Sequence, residues 1–345
     1  MNKVLMVGDF KSNDGVANAN KNFEAGFEQW VKSGQISYTY ESGIINRIIE
    51  FIRLFFKVDV LCLCGISKIN IIAIIFSKIF RKPIFYLMHG YPYYEQRVEQ
   101  SLSKSKIVFI RIKEFLRIFL CNGIICVSDM FKEYMISQYP FFSKKFFCVY
   151  NPISIEKIYK PDNSIRLGSK IIVTTGGGRR IKNNLSLAYA IESLNNKYHL
   201  DFQLFIFGGD GPQSQELSMI PSVRLHEKVS QDTMLSFFSS AFLYVQNSEM
   251  ETFGLAVIES LMSGCSILLS KNVGAIGVLH NVRASDIINN NKDVQEISKK
   301  ILEIYNKGNN ERMLAGLDTI AIDPVQCSVQ LYKILTEWND QELEI

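Results

Sequence analysis

Short continuous apolar runs alternate along this chain with longer stretches in which apolar residues recur every three or four positions. Runs of the first kind read as strands buried on both faces, and stretches of the second kind as amphipathic helices. The pattern predicts strands over 4–7, 58–64, 84–88, 123–128 and 146–150, and helices from about 17 and over 44–57, 69–79 and 104–120. From 152 to 168 the composition turns polar, with Pro161, Asp162, Asn163 and Ser164. The alternation then restarts, with strands over 170–175, 202–207, 223–226, 242–245 and 265–269. Helices are expected from about 185 and over 231–239, 294–305 and 325–335. Strand and helix in strict turn predict α/β architecture, two Rossmann-like parallel-sheet domains. The expected division is 1–155, 156–324, and a last segment, 325–345, that crosses back to the first domain.

Bulk properties narrow this picture only a little. A length of 345 residues suits about two domains, and an apolar fraction of 47% is ample for two cores. The seven cysteines fall mostly inside apolar runs and lack the C-x2-C spacing of a zinc or redox site, so buried, reduced thiols in a cytoplasmic protein are expected. Charge is uneven: residues 1–150 carry 20 Lys/Arg against 12 Asp/Glu, and the remainder 18 against 22. A basic first half suggests an anionic partner there. No zinc-finger spacing or RNA-binding signature supports nucleic acid, which leaves peripheral contact with an anionic membrane. The segments 44–57 and 104–120, where Arg and Lys stand beside apolar residues, suit that contact or plain packing on a sheet. Lys and Asp interrupt the longest apolar runs, so no transmembrane helix is expected, and MNKVLMVGDF reads as a strand rather than a secretion signal.

The chemistry gathers in QNSEMETFGLAVIESLMSGCSILLS, residues 246–270. It reads as a polar loop, a helix entry, an apolar helix, a glycine stop at Gly264 and a buried strand. Free amides and the positive end of a helix dipole near Thr252, Phe253, Gly254 and Leu255 suit a pyrophosphate. Glu251 stands at the mouth of that site and Glu259 two turns into the helix. Upstream, TTGGGRRIKNN sets Gly177 and Gly178 before Arg179, Arg180 and Lys182. Three glycines leaving amides accessible, with cations beside them, complement phosphate oxygens, although no G-K-[ST] makes this a P-loop.

The ETFGLAVIE segment resembles the E-x7-E motif of the retaining family-4 glycosyltransferases of the GT-B fold, whose two domains face a cleft. GGGRRIKNN and FGGDGP resemble further motifs of that family, in order, and Asn151-Pro152-Ile153 its interdomain linker. Agreement in the first half is looser. It rests on the loop around Gly15 and on His89, which YLMHG delivers at a strand end. The resemblance implies that Arg180 and Lys182 neutralise the leaving diphosphate and that Glu251 orients the donor sugar. It also implies that Glu259 binds the ribose, that the backbone around Val229 reads the base, and that His89 touches the transferred sugar. Gly15 would let the backbone approach donor or acceptor, and Arg179 is the alternative to Arg180.

The reaction implied is metal-independent transfer of a sugar, with retention, from a nucleotide-diphosphate-sugar to an acceptor hydroxyl. The nucleotide sugar is a co-substrate, so no cofactor is expected, and no Asp-x-Asp occurs. A lipid-linked or oligosaccharide acceptor, bacterial surface polysaccharide (capsule or O-antigen) synthesis, and the inner face of the cytoplasmic membrane complete the expectation. Two alternatives are a GT-B nucleotide-sugar epimerase, which needs no acceptor, and a non-catalytic nucleotide-sugar-binding partner in a membrane complex.

Overall fold

A computed structural model describes residues 2–12, 15–155 and 170–338. The polar linker expected over 152–168 therefore lies, from 156 onward, outside the described residues. The chain divides into two compact units, one made of 1–93, 108–154 and 319–345, the other of 94–107 and 155–318. Neither unit is one continuous stretch, because residues 94–107 group with the second.

The first unit is built on β1 (Val4–Gly8), α1 (Gly15–Gly26), α2 (Glu28–Lys32), β2 (Ile36–Tyr38), α3 (Ile44–Phe55), β3 (Val60–Cys64), α4 (Asn70–Ile79) and β4 (Ile84–Met88). There follow α5 (Pro92–Glu99), α6 (Lys104–Leu120), β5 (Gly123–Cys126), α7 (Asp129–Gln138) and β6 (Phe146–Cys148), the division between units falling within α5 and α6. Its sheet is parallel throughout, in the order β2-β1-β3-β4-β5-β6. The central strands are buried along their whole length because helices cover both faces, which is why they read as unbroken apolar runs. Extended Ser128, and not Asp129, caps α7, its hydroxyl accepting from the Phe131 amide at 3.1 Å.

The second unit runs β7 (Ile171–Thr175), α8 (Asn184–Tyr198), β8 (Gln203–Phe207), α9 (Ser214–Ser218), β9 (Val223–His226), α10 (Gln231–Ser240), β10 (Leu243–Gln246), α11 (Leu255–Met262), β11 (Ser266–Ser270), β12 (Ile287–Ile288), α12 (Val294–Lys307) and α13 (Asn310–Ala315). Its parallel sheet has the order β12-β11-β10-β7-β8-β9. Asp293 opens α12 by accepting from the amides of Gln295 and Glu296, and Gly308 closes it at φ +62°. The last helix, α14 (Pro324–Glu337), groups with the first unit, where it lies on α1 and Ser328 donates to the Phe23 carbonyl at 3.1 Å.

All seven cysteines are free and six are buried. Burial pushes the thiols of Cys121 and Cys327 up to about 12, so neither is an effective nucleophile near neutral pH.

Candidate functional site

In an open parallel sheet the direction of winding reverses at one point, and the loops leaving the strands on either side open a crevice there. In the second unit that point lies between β7 and β10. The loop after β7 is GGGRRIK and the loop after β10 begins the 246–270 stretch, so the topology brings the two charged motifs together.

A chain of polar contacts joins them. The Thr175 and Tyr244 hydroxyls meet at 2.9 Å across the two strands, and Tyr244 donates to Gln246. The buried Gln246 amide donates to Ser248 at 2.6 Å and to Glu251 at 3.1 Å. Glu251 then pairs with Lys182, both side chains being largely sheltered from solvent. The Glu251 backbone is pinned as well: its amide donates to Asn272 and its carbonyl accepts from Gly274, each at 2.9 Å. Lys182 reaches this place by crossing Gly176. A Cβ on Gly176 would stand 2.3–2.9 Å from the lysine methylenes, and the residue holds φ +97°. A larger residue is excluded there on both counts.

The glycines of this loop do not do what their accessibility in the sequence suggests. The amides of Gly176 and Gly177 donate to the Phe207 carbonyl at 2.7 and 2.9 Å, and that of Gly178 to Gly209 at 3.3 Å. They let two backbones, 176–178 and 208–211, touch, and so are not open to phosphate. Past Arg179, the amides of Arg180 and Ile181 donate to the buried Glu99 carboxylate at 3.0 and 3.2 Å. Arg179 pairs with Glu95 at 2.8 Å and with Glu99 at 3.5 Å. Arg180 has no carboxylate partner among the described residues; it donates to Gln100 at 3.1 Å and lines a cavity of about 550 Å³ beside Tyr94, Arg97, Glu249 and Lys292. Lys292 and Glu249 are paired at 2.7 Å.

Amides are open elsewhere. Leu255 and Ala256, the first residues of α11, have no acceptor among the described residues, and Gly254 before them holds φ +96°. Thr252 is half-buried, whereas the Phe253 ring belongs to the core. Glu259 accepts from Gln231 at 2.6 Å, which sets it beside the loop carrying Val229. Burial pushes the Glu259 carboxyl above its ordinary value, and the Gln231 hydrogen bond only partly offsets this.

Two of the expected site residues lie in the first unit. His89 follows β4, buried, with Nε2 3.0 Å from Oδ1 of Asn20; the Asn20 amide donates to the Asp9 carbonyl at 2.9 Å. Gly15 opens α1, and a Cβ there would meet nothing within 4 Å. Tyr91 is core, its hydroxyl 3.1 Å from that of Tyr139. Among the described residues no three His, Cys, Asp or Glu converge as a metal site would require.

Sequence reasoning missed Glu95, Glu99 and Gln100, which hold the basic loop from a helix far away in the chain. No local pattern marks them. Asn184 was within reach: the KNN after the cations places its amide 2.8 Å from the Gly177 carbonyl, clamping the loop to α8.

Comparison with known proteins agrees with this arrangement. Residues 156–315 match the family described as glycosyl transferases group 1. A probable sucrose-phosphate synthase of Thermosipho melanesiensis is 23% identical over 188 residues, a match spanning 51% of this chain and 44% of that protein. Among solved structures, Anabaena Alr3699/HepE in complex with UDP and glucose superposes with a TM-score of 0.70 at 15% identity, covering 98% of this chain and 100% of that one. Sucrose-phosphate synthase from Thermosynechococcus elongatus gives 0.72 at 13%, with the same coverage. At such identity these two establish the fold alone, GT-B α/β. The family match is confined to residues 156–315, most of the second unit, which is similar in sequence to glycosyl transferases group 1.

Proposed function

We propose that the chain is a retaining, metal-independent glycosyltransferase that moves a sugar from a nucleotide-diphosphate-sugar to an acceptor hydroxyl. The observation that carries this reading is the Lys182–Glu251–Gln246 chain at the switch point of the second sheet, with the open amides of Leu255 and Ala256 on the same segment. The bond from the anomeric carbon to the diphosphate breaks as the acceptor oxygen bonds that carbon, and the acceptor proton passes to the leaving phosphate. The barrier is charge accumulating on diphosphate oxygens, so fixed positive groups there lower it. Lys182 and the α11 amides supply them, with Arg180, which has no carboxylate partner among the described residues, in preference to the doubly paired Arg179. Glu251 orients the donor sugar, Glu259 accepts from ribose hydroxyls, the backbone at Val229 meets the base, and His89 bonds the sugar.

UDP-glucose, bound by a protein of the same fold, is the first donor to test. A lipid-linked or oligosaccharide acceptor in surface polysaccharide synthesis is the acceptor class we infer, supported by the basic first half. Glu251→Ala should lower turnover while nucleotide still binds, and Glu259→Ala should mainly weaken nucleotide binding, read by thermal shift with UDP, GDP and ADP. Equal losses in both variants would remove the assignment. Isomerised donor formed without any acceptor would replace transfer by epimerisation.

A further inference from the structure

The outer face of the first sheet carries apolar side chains that no other described residue covers. On α3, Ile45, Ile49, Ile52 and Phe56 form one stripe, and on α4 Ile71, Ile75 and Ile79 form another. These are not scattered exposures: Ile49 is 61% accessible, Ile79 66%, Phe56 59% and Phe80 47%. The stripes meet, because the rings of Phe56 and Phe80 lie 5.3 Å apart, and beneath them Phe55–Phe80 and Phe51–Phe76 contacts of 5.4 and 5.8 Å lock the two helices. Right-handed crossovers between neighbouring parallel strands put α6 on this same face, where Phe109, Ile112, Leu116 and Phe119 are exposed again. Soluble monomers rarely leave so much contiguous apolar surface.

The charges that its helices expose have one sign. Arg53, Lys57, Lys78 and Arg81 are exposed beside the stripes, and none has a carboxylate partner among the described residues. The single acid of α3, Glu50, is turned inward, accepting from the amides of Tyr40 and Glu41 at 3.0 and 2.9 Å. Residues 70–82 contain no acid, and the one acid of α6, Glu114, is buried against Arg117 at 3.1 Å. A protein partner would be expected to meet some counter-charge or a shaped pocket on this face. A broad apolar surface whose helices expose only cations fits instead the boundary between anionic headgroups and acyl chains. We propose that the α3–α4–α6 face is a docking surface for an anionic lipid bilayer. Membrane contact was expected from 44–57 and 104–120 alone; the fold adds α4, whose isoleucines join the two into one face. Among the described residues no helix is long and apolar enough to cross a membrane, and the attachment proposed is peripheral.

Flotation of the full chain with vesicles tests this independently of any sugar transfer. The protein should float with phosphatidylcholine–phosphatidylglycerol vesicles, stay behind with phosphatidylcholine alone, and be released by salt. The pair Lys57→Ala and Lys78→Ala should weaken binding roughly thirtyfold, about fivefold for each charge near the surface. Ile49→Ser with Ile79→Ser should abolish it without lowering the melting temperature, since both side chains are exposed. Lys197→Ala with Lys307→Ala, in the second unit, should change nothing. Equal flotation on neutral vesicles, or indifference to the α3 and α4 substitutions, overturns the proposal. So does self-association, seen by sedimentation and lost in Ile49→Ser with Ile79→Ser, in a chain that ignores vesicles.

Discussion

Both units wind a six-stranded parallel sheet, yet they use its two exposed parts, the strand ends and the outer helices, in opposite ways. In the second unit the switch point is charged: Lys182 meets Glu251, and Arg179 meets Glu95 and Glu99. In the first, His89 after β4 faces the neutral amide of Asn20, which in turn bonds a carbonyl. The helix surfaces reverse the contrast. On α12, lysine and glutamate alternate, Lys300 lying 3.8 Å from Glu296 and Lys299 4.0 Å from Glu303, whereas α3 and α4 expose isoleucine, phenylalanine and cations with no carboxylate partner among the described residues. The lesson is that one architecture separates two tasks, with charge concentrated inside one crevice and apolar area spread over one face.

Substitutions can break this contrast or sharpen it. Lys182→Ala should have the largest effect, a fall in turnover of about 10²–10³, the usual loss when one fixed group stabilising a developing anion is removed. Steady-state rates with UDP-glucose would register it, and a loss below tenfold would mean that the switch-point charge is structural. Glu99→Ala comes next. Two amides, that of Ile181 buried and that of Arg180 partly so, lose their acceptor and Arg179 loses the longer of its two carboxylate contacts, so urea denaturation should show about 2–3 kcal/mol of lost stability. His89→Ala removes the hydrogen bond proposed to the sugar, along with the contact to Asn20, and should lower turnover about tenfold. Were it to cost as much as Lys182→Ala, the two strand-end regions would no longer differ in kind.

The smallest effect concerns pH. Glu259 binds its proton more tightly when folded than when unfolded, so it stabilises the fold fully below its unfolded value near 4.5 and loses that contribution as pH rises through its higher folded value. Glu259→Gln should therefore melt above the unsubstituted chain at neutral pH. The gap should narrow on acidification and close below about pH 4.5, as followed by circular dichroism.

Period and composition made most of the fold legible, because strands buried on both faces and helices with one wet face leave different signatures. Short elements escaped for the same reason. α2, α9 and α13 are too brief to complete a helical period, and α5 opens among tyrosines that read equally well as a loop. Within the site, Glu251 and Lys182 were visible because each sits in a motif dense with glycine and charge. Loop geometry was not visible. That Gly176–Gly178 turn their amides to the 207–209 backbone depends on β7 and β8 being neighbours, which no local pattern states. Glu99 acts across 81 residues and carries no marker of its own.

The grouping of residues 94–107 with the second unit has a practical corollary for dissecting this protein. A fragment begun at 155 and ended at 318 would look like a tidy expression target, since it contains a whole sheet. It would nonetheless carry Arg179, Arg180 and Ile181 without Glu95, Glu99 and Gln100, and would leave two amides and a guanidinium orphaned. A minimal piece that keeps this loop intact has to graft the short 94–107 segment back on.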